Sequence, residues 1–185
     1  MLESAGIPFE AVDSLLDERQ VAGVDDLAPR AQAATLALAK ARSVSLRYPS
    51  RVVVGADQTL EFEGRAFHKA PNFGRALAQL RQLSGVAHEL HSAVACMRDD
   101  ELLFSFVGTA EIRMRKLGEP ALAAYATAMG DRLLATVGGY EIEGLGANLI
   151  ESVRGDLFTV IGLPLFSLLS GFREIGLIEE GSDTK

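Results

Sequence analysis

Cysteine is almost absent from this chain: Cys96 is the single one among 185 residues, so an internal disulfide is excluded. Long apolar runs are absent too, because the most apolar segment, residues 158–172, is interrupted by Pro164 and falls short of the ~20 apolar residues of a membrane span. The first four residues include an acid and no base, so a secretory signal is not expected. The sequence therefore predicts a cytoplasmic protein with no membrane segment.

Positive charge is also scarce: 18 basic residues stand against 25 acidic ones, which leaves a formal net charge of -7. Such a chain is a poor binder of duplex nucleic acid, because that binding relies on neutralising many phosphates. A small anionic substrate remains compatible with this charge if a few lysines converge and a divalent metal offsets the carboxylates. Zinc is not predicted, because the histidines and Cys96 lack the usual spacing of ligands.

The pattern of apolar residues predicts one α/β domain over residues 1–185. An apolar content of 48% is enough for a core that needs no disulfide. The spacing predicts helices near residues 27–41, 72–83, 120–129 and 163–175, and strands at 52–55, 87–96, 103–115 and 147–153. A hairpin turn is expected at Glu63-Gly64, the strands 87–96 and 103–115 are expected to pair antiparallel, and the polar tail 179–185 is expected to be frayed.

Two of these helices carry specific signals. The first has Pro29 in its first turn, where proline is tolerated, and its inward face is predicted from helical spacing as Leu27, Ala31, Ala34, Leu38 and Ala41. The second is predicted to begin at Asn72 and to end before Gly85, with its inward residues Ala76, Leu77, Leu80 and Leu83. Both helices are expected to cover a sheet.

The most informative segment is Val52-Val53-Val54-Gly55-Ala56-Asp57-Gln58. Its β-branched residues predict a buried strand, and a strand that ends in a carboxylate delivers an acid to the rim of a sheet. Ligands of α/β proteins usually bind at that rim. Asp also begins turns often, so this segment alone leaves both interpretations of Asp57 open.

Hydrolysis of a nucleoside triphosphate needs a metal held by carboxylates, cations along the phosphates and a base that orients water. Asp57 is a candidate for holding the metal or deprotonating the water, and Glu18 is a candidate for completing the metal site. Lys40 and Lys69 are candidates for steadying the triphosphate. Exposed lysines and glutamates are mostly solvated surface residues, so each of these residues alone is weak evidence for a site. The evidence lies in their order along the chain.

In this order, the segments resemble the Maf family of nucleoside triphosphate pyrophosphatases over nearly the whole chain. The matching segments are Glu3-Ser4-Ala5-Gly6-Ile7-Pro8-Phe9, Asp17-Glu18, Ala39-Lys40-Ala41, Gly55-Ala56-Asp57-Gln58, His68-Lys69, Leu83-Ser84-Gly85 with His88 and Ser92, Gly139-Tyr140 with Glu143-Gly144, and Val160-Ile161-Gly162-Leu163-Pro164-Leu165.

The resemblance implies a fold and a reaction. The fold is an α/β, Maf/ITPase-like architecture in which a long, curved, mixed β-sheet is flanked by helices and the nucleotide lies in a cleft between two lobes. The reaction is cleavage between the α and β phosphates, which yields a nucleoside monophosphate and pyrophosphate and requires a divalent cation, Mg²⁺ or Mn²⁺. A homodimer is expected, because the family is often dimeric.

The resemblance also implies residue roles. The proton acceptor falls on Asp57, its acidic partner on Glu18, and both are expected to hold the metal. The phosphate-facing lysines fall on Lys40 and Lys69.

The positions that read the base fall on Gln58 and Glu143. A Gln and Glu pair is similar to the branch that acts on 7-methyl-GTP, whereas the pyrimidine branch usually holds Thr and Gln there. A carboxylate only accepts hydrogen bonds, so Glu143 would suit the N–H donors of a guanine edge. Against this, Gly139-Tyr140-Glu141 differs from the Ser-Phe-Lys of the methyl-GTP branch, and Glu143 is equally typical of a solvated turn.

The chain departs from the family at its start. The family begins with a strand and a Ser-x-x-Arg-Arg loop that places arginines on the triphosphate, and Met1 falls inside the helix that follows. The N-terminal strand and arginine loop are thus absent from this sequence, and weak activity is expected of the 185-residue chain, because lysine does not reproduce the planar guanidinium. A start codon assigned too far downstream is favoured over true loss, since loss of a core strand would expose a sheet edge.

Two other functions compete. An aspartyl-phosphate phosphatase would need an Asp-x-Asp pair, and the second position holds Thr59. A catalytically weak nucleotide-binding or cell-division regulatory module is the stronger rival, since the family's name reflects a role in septum formation. The intact Asp57 favours a catalytic enzyme, and the missing arginine loop favours a module that binds nucleotide without hydrolysing it.

Overall fold

Five strands form one sheet in the computed structural model, which describes residues 1–179. The strands are β1 (Val52–Phe62), β2 (Arg65–Phe67), β3 (Ala87–Arg98), β4 (Glu101–Met114) and β5 (Ile150–Arg154). Their order is β2-β1-β3-β4-β5, and each pairing between these strands is antiparallel. The predicted α/β class and the antiparallel pairing of the third and fourth strands are confirmed, while the strand directions differ from the mixed sheet that the resemblance implies.

In the described part of the chain, five α-helices pack around the sheet: α1 (Pro29–Ser45), α2 (Phe73–Leu83), α3 (Glu119–Met129), α4 (Leu157–Ile161) and α5 (Leu165–Glu174). The residues of α2 and α3 join one sheet face in the largest core cluster, which includes Leu60, Leu80, Leu90, Ile112 and Leu122. The helix α1 packs on the other face against β1 and β3. The chain's elements therefore form helical layers on both faces of the sheet.

The predicted inward face of α1 is confirmed at Ala41 and wrong at Leu27 and Leu38. Leu27 precedes the helix and Leu38 lies on its exposed side, whereas the buried face runs along Ala33, Ala37 and Ala41. An alanine-rich helix offers several apolar stripes of similar strength, so its spacing does not select one. The sheet selects it: Gly55 leaves room for α1 to approach so closely that a Cβ at Gly55 would collide with Ala37 O and lie 2.5 Å from Ala41 N.

The structure contains the predicted hairpin turn after β1 and the predicted start and end of α2. Glu63 and Gly64 join β1 to β2 with φ of 53° and 75°, the left-handed pair that a two-residue hairpin turn requires. Asn72 caps α2 by accepting a hydrogen bond from Arg75 N, and the helix ends at Leu83. Both predictions are confirmed.

The C-terminal third is less regular than predicted. The strand expected at 147–153 begins at Ile150, because Leu145–Leu149 form a short 3-10 turn. The helix expected at 163–175 is preceded by α4, which Asp156 caps, and α5 itself begins at Leu165 after Pro164. The predicted frayed tail lies outside the described residues from position 180 onward. Within residues 1–179, the helices are too short or too polar to cross a membrane.

Candidate active site

A cavity of about 550 Å³ opens beside β1 where the short β2 leaves its edge uncovered. Its wall brings together residues that are far apart in the chain. They include the four predicted catalytic and phosphate-binding residues, Glu18, Lys40, Asp57 and Lys69, together with the predicted base-reading residue Gln58.

Lys40 joins the two acids. Its Nζ lies 2.6 Å from Asp57 Oδ1 and 2.7 Å from Glu18 Oε1. Asp57 lies in the middle of β1 and not at the end of a strand, so the predicted strand end at this residue is wrong. Lys40 comes from α1, which Gly55 allows to lie directly on the strand. Glu18 begins a 3-10 turn whose N-cap, Asp17, accepts a hydrogen bond from Arg19 N. Two carboxylates thus face a single ammonium group.

The electrostatics of this triad follow from unequal burial. The side chain of Asp57 is 9% exposed, whereas that of Glu18 is 51% exposed. Burial raises the pKa of Asp57 above its usual value, and the hydrogen bond from Lys40 offsets this only in part. Burial lowers the pKa of Lys40, but the hydrogen bonds to Asp57 and Glu18 outweigh it, so the net shift is upward. Lys40 therefore stays charged while it steadies a carboxylate of raised proton affinity.

The remaining wall is basic on one side and apolar on another. Lys69 and His68 follow β2, and Lys69 lowers the pKa of Asp57 through its charge. Phe67 and Val137 contribute apolar surface, which suits the flat face of a base. Sequence reasoning did not single out Phe67 or Val137, because an isolated apolar residue has no signal that separates a cavity wall from the core.

Gln58 has a fixed orientation. Its Nε2 donates to Thr159 O, Val160 O and Ser92 Oγ at 3.1, 3.0 and 2.9 Å. Because the Ser92 hydroxyl donates its own hydrogen to Thr159 O, all these partners require the amide nitrogen. The amide oxygen of Gln58 therefore points away from them, and no donor in residues 1–179 reaches it.

Glu143 lies apart from this group. It is exposed in the turn before residues 145–149 and does not line the cavity. Its neighbour Glu141 pairs with Arg132 across the same turn, while Tyr140 is buried against His88. The structure thus brings together Glu18, Lys40, Asp57, Gln58 and Lys69 but not Glu143.

Comparisons with known proteins agree over most of the chain. The family model described as "Maf-like protein" matches residues 1–175. A nucleoside triphosphate pyrophosphatase of Rhodopseudomonas palustris and another of Nitrobacter hamburgensis are each 46% identical over 179 residues, covering 96% of this chain and 89% of the relative. A 7-methyl-GTP pyrophosphatase of Rhizobium etli is 42% identical over 182 residues, covering 97% of this chain and 92% of the relative.

Proposed function

The chain belongs to the Maf family, and from this membership we propose that it is a nucleoside triphosphate pyrophosphatase. It hydrolyses the bond between the α and β phosphates and releases a nucleoside monophosphate and pyrophosphate. The observation that carries the proposal is the pair of carboxylates, Asp57 and Glu18, that Lys40 bridges inside the cavity. Phosphoryl chemistry needs such a combination of acids and cations, because catalysis there rests on positioning and charge.

Asp57 is the proposed general base. It is held by Lys40 through Oδ1, and no donor in residues 1–179 reaches Oδ2, so Oδ2 remains available to accept a hydrogen bond from water. Its raised pKa makes it a better proton acceptor than an exposed aspartate. In the reaction, Asp57 orients the attacking water and takes its proton as the oxygen bonds to phosphorus.

The donor set also fits a divalent cation. Lys40 Nζ occupies the point between Asp57 Oδ1 and Glu18 Oε1, so a cation would be held by the carboxylate oxygens of Asp57 and Glu18 that Lys40 does not contact. Carboxylate oxygens suit Mg²⁺ and Mn²⁺. When bound there, the cation offsets the charge of the phosphates. Lys40 and Lys69 contribute positive charge along the triphosphate.

The fixed amide of Gln58 supports a preference for guanine-type bases such as that of 7-methyl-GTP. Its nitrogen is engaged by three acceptors, so only its oxygen is offered to a ligand. An acceptor suits the adjacent N1–H and 2-amino donors of a guanine edge, whereas uracil and thymine offer a single N–H donor between two carbonyl oxygens. Glu143 lies outside the cavity wall, and its role in reading the base stays a prediction, as do the homodimer and the cytoplasmic location.

A panel of triphosphates tests the function. The protein is incubated with GTP, 7-methyl-GTP, UTP, TTP and ATP in Mg²⁺ or Mn²⁺, and pyrophosphate and orthophosphate are measured separately. We expect saturable release of pyrophosphate with no orthophosphate, and the highest kcat/KM for a guanine nucleotide. Saturable nucleotide binding without any release would contradict the proposed enzyme and favour a regulatory binding module.

A further inference from the structure

Three glutamates lie in a row across the sheet. Glu61 of β1 is directly opposite Glu89 of β3, and Glu89 is directly opposite Glu111 of β4. Like charges in opposite positions of neighbouring strands destabilise a sheet. Arg154 approaches the last of them, at 3.4 Å from Glu111 Oε1, which leaves Glu61 and Glu89 to be balanced by something else.

A buried imidazole points into this row. The side chain of His91 is 3% exposed, and its Nε2 lies 3.0 Å from Glu61 Oε2 and 3.6 Å from Glu89 Oε2. Its Nδ1 is 2.9 Å from Thr109 Oγ1. The Thr109 hydroxyl therefore holds the ring at Nδ1, while Nε2 faces two carboxylates and is hydrogen-bonded to Glu61. A metal would replace that hydrogen bond, and the second contact at the other nitrogen is how metal-binding histidines are oriented.

We propose that Glu61, Glu89 and His91 form a binding site for a divalent transition metal such as zinc. One ligand atom from each lies within 4.8 Å of the others. Ligands bonded to a tetrahedral zinc at its usual bond lengths lie about 3.4 Å apart, so small side-chain rotations bring these three into place. Two carboxylates and one neutral imidazole balance the charge of a dication and leave a fourth position for water.

This site is separate from the proposed catalytic cation. Glu61 follows Asp57 by four residues along β1, a spacing of about 13 Å in a strand, and none of the three ligands lines the cavity. Because Glu61 and Glu89 belong to neighbouring strands, the metal would cross-link β1 and β3 beyond the N-terminal end of α1. Its effect is on the stability of the sheet that carries Asp57.

The site is tested on protein from which a chelator has removed all metal. Thermal unfolding is measured with and without Zn²⁺, and the binding of added Co²⁺ is followed by its visible absorption spectrum. In stripped protein, Glu89→Gln should unfold at a higher temperature than the wild type, because it removes the central charge of the row of three glutamates. With Zn²⁺ the order should reverse. Glu89→Gln should weaken metal binding by about tenfold or more, and Thr109→Val by about 10- to 100-fold through the ring orientation. Both residues are exposed, so these variants should fold.

Matched variants separate the outcomes. Glu101→Gln removes an exposed acid of β4 that lies outside the row of glutamates. Its unfolding temperature and the effect of zinc on that temperature should match those of the wild type. Asp57→Asn should leave the zinc effect intact. The proposal is overturned if zinc stabilises the wild type and Glu89→Gln equally, if no saturable binding occurs, or if Asp57→Asn alone abolishes the effect, which would place the ion in the cavity.

Discussion

Lys40 Nζ lies 2.6 Å from Asp57 Oδ1, and this ion pair joins the helix on one face of the sheet to the strand beneath it. The contact has two consequences for the proposed reaction. It holds one oxygen of the base in place, and it keeps the pKa of Asp57 lower than burial alone would set it.

The first prediction follows from that pair. Replacing Lys40 by Gln removes a positive neighbour, so the pKa of Asp57 should rise further and the acidic limb of the kcat/KM profile should move to higher pH. The measurement is pyrophosphate release across a pH series. Arg42→Gln, on the exposed side of the same helix, should leave the limb where it is. A limb that stays fixed or moves to lower pH in Lys40→Gln would contradict the assignment.

The second prediction concerns the close approach of α1 to β1. In Gly55→Ala the new Cβ would collide with backbone atoms of Ala37 and Ala41, so the helix must shift. We expect a loss of about 1–3 kcal/mol in the free energy of unfolding, measured in urea, together with reduced activity as Lys40 moves. Gly74→Ala in α2, where a Cβ meets nothing closer than 3.6 Å, should be neutral or stabilising. Equal stability of the two variants would refute the packing argument.

The third prediction concerns His88, which is buried against Tyr140 with its Nδ1 lacking a partner in residues 1–179. Burial lowers the pKa of His88 from 6.5 to about 4. Between these values the unfolded chain binds the proton and the folded chain does not, so stability should fall as the pH drops from 6.5 to 4, by about 3 kcal/mol.

Urea unfolding across that pH window measures the effect. His88→Gln should show a smaller loss of stability on acidification than the wild type. His68→Gln, which alters an exposed histidine, should retain the full loss. Identical pH dependence in wild type and His88→Gln would show that His88 is not the group responsible.

The fourth prediction concerns base choice. Gln58→Met keeps the length of the side chain and removes the acceptor oxygen, so a guanine donor would be left unpaired. We expect the ratio of kcat/KM for 7-methyl-GTP over UTP to fall by about 1–3 kcal/mol in free energy, roughly 5- to 150-fold. Gln82→Met, on the exposed side of α2, serves as the control. An unchanged ratio would remove Gln58 from substrate selection.

Much of the fold could be predicted because its signals are local. Pro29 and the Glu63-Gly64 turn act through their own backbone conformation, and Asn72 acts through a side-chain hydrogen bond to Arg75 N. Each marks an element boundary in the structure. The buried face of α1 could not be predicted, because it depends on where Gly55 admits the helix.

Some of the candidate site residues could likewise be predicted from the sequence, and others could not. Residues lining the cavity could be predicted from their order along the chain, through resemblance to a family. Glu61, Glu89 and His91 were missed, because strand register brings them together and their spacing matches no motif. Glu143 was expected in the site from the same resemblance, and the exposed turn that carries it lies away from the cavity wall.

The most direct test of the central claim is the rate of pyrophosphate release by Asp57→Asn. The substitution keeps the shape of the side chain and removes the proton acceptor. We expect a loss of about 10²- to 10⁴-fold in kcat with nucleotide binding retained, while Asp131→Asn, which alters an exposed aspartate outside the cavity, should keep the wild-type rate. Wild-type turnover in Asp57→Asn would show that Asp57 is not the general base.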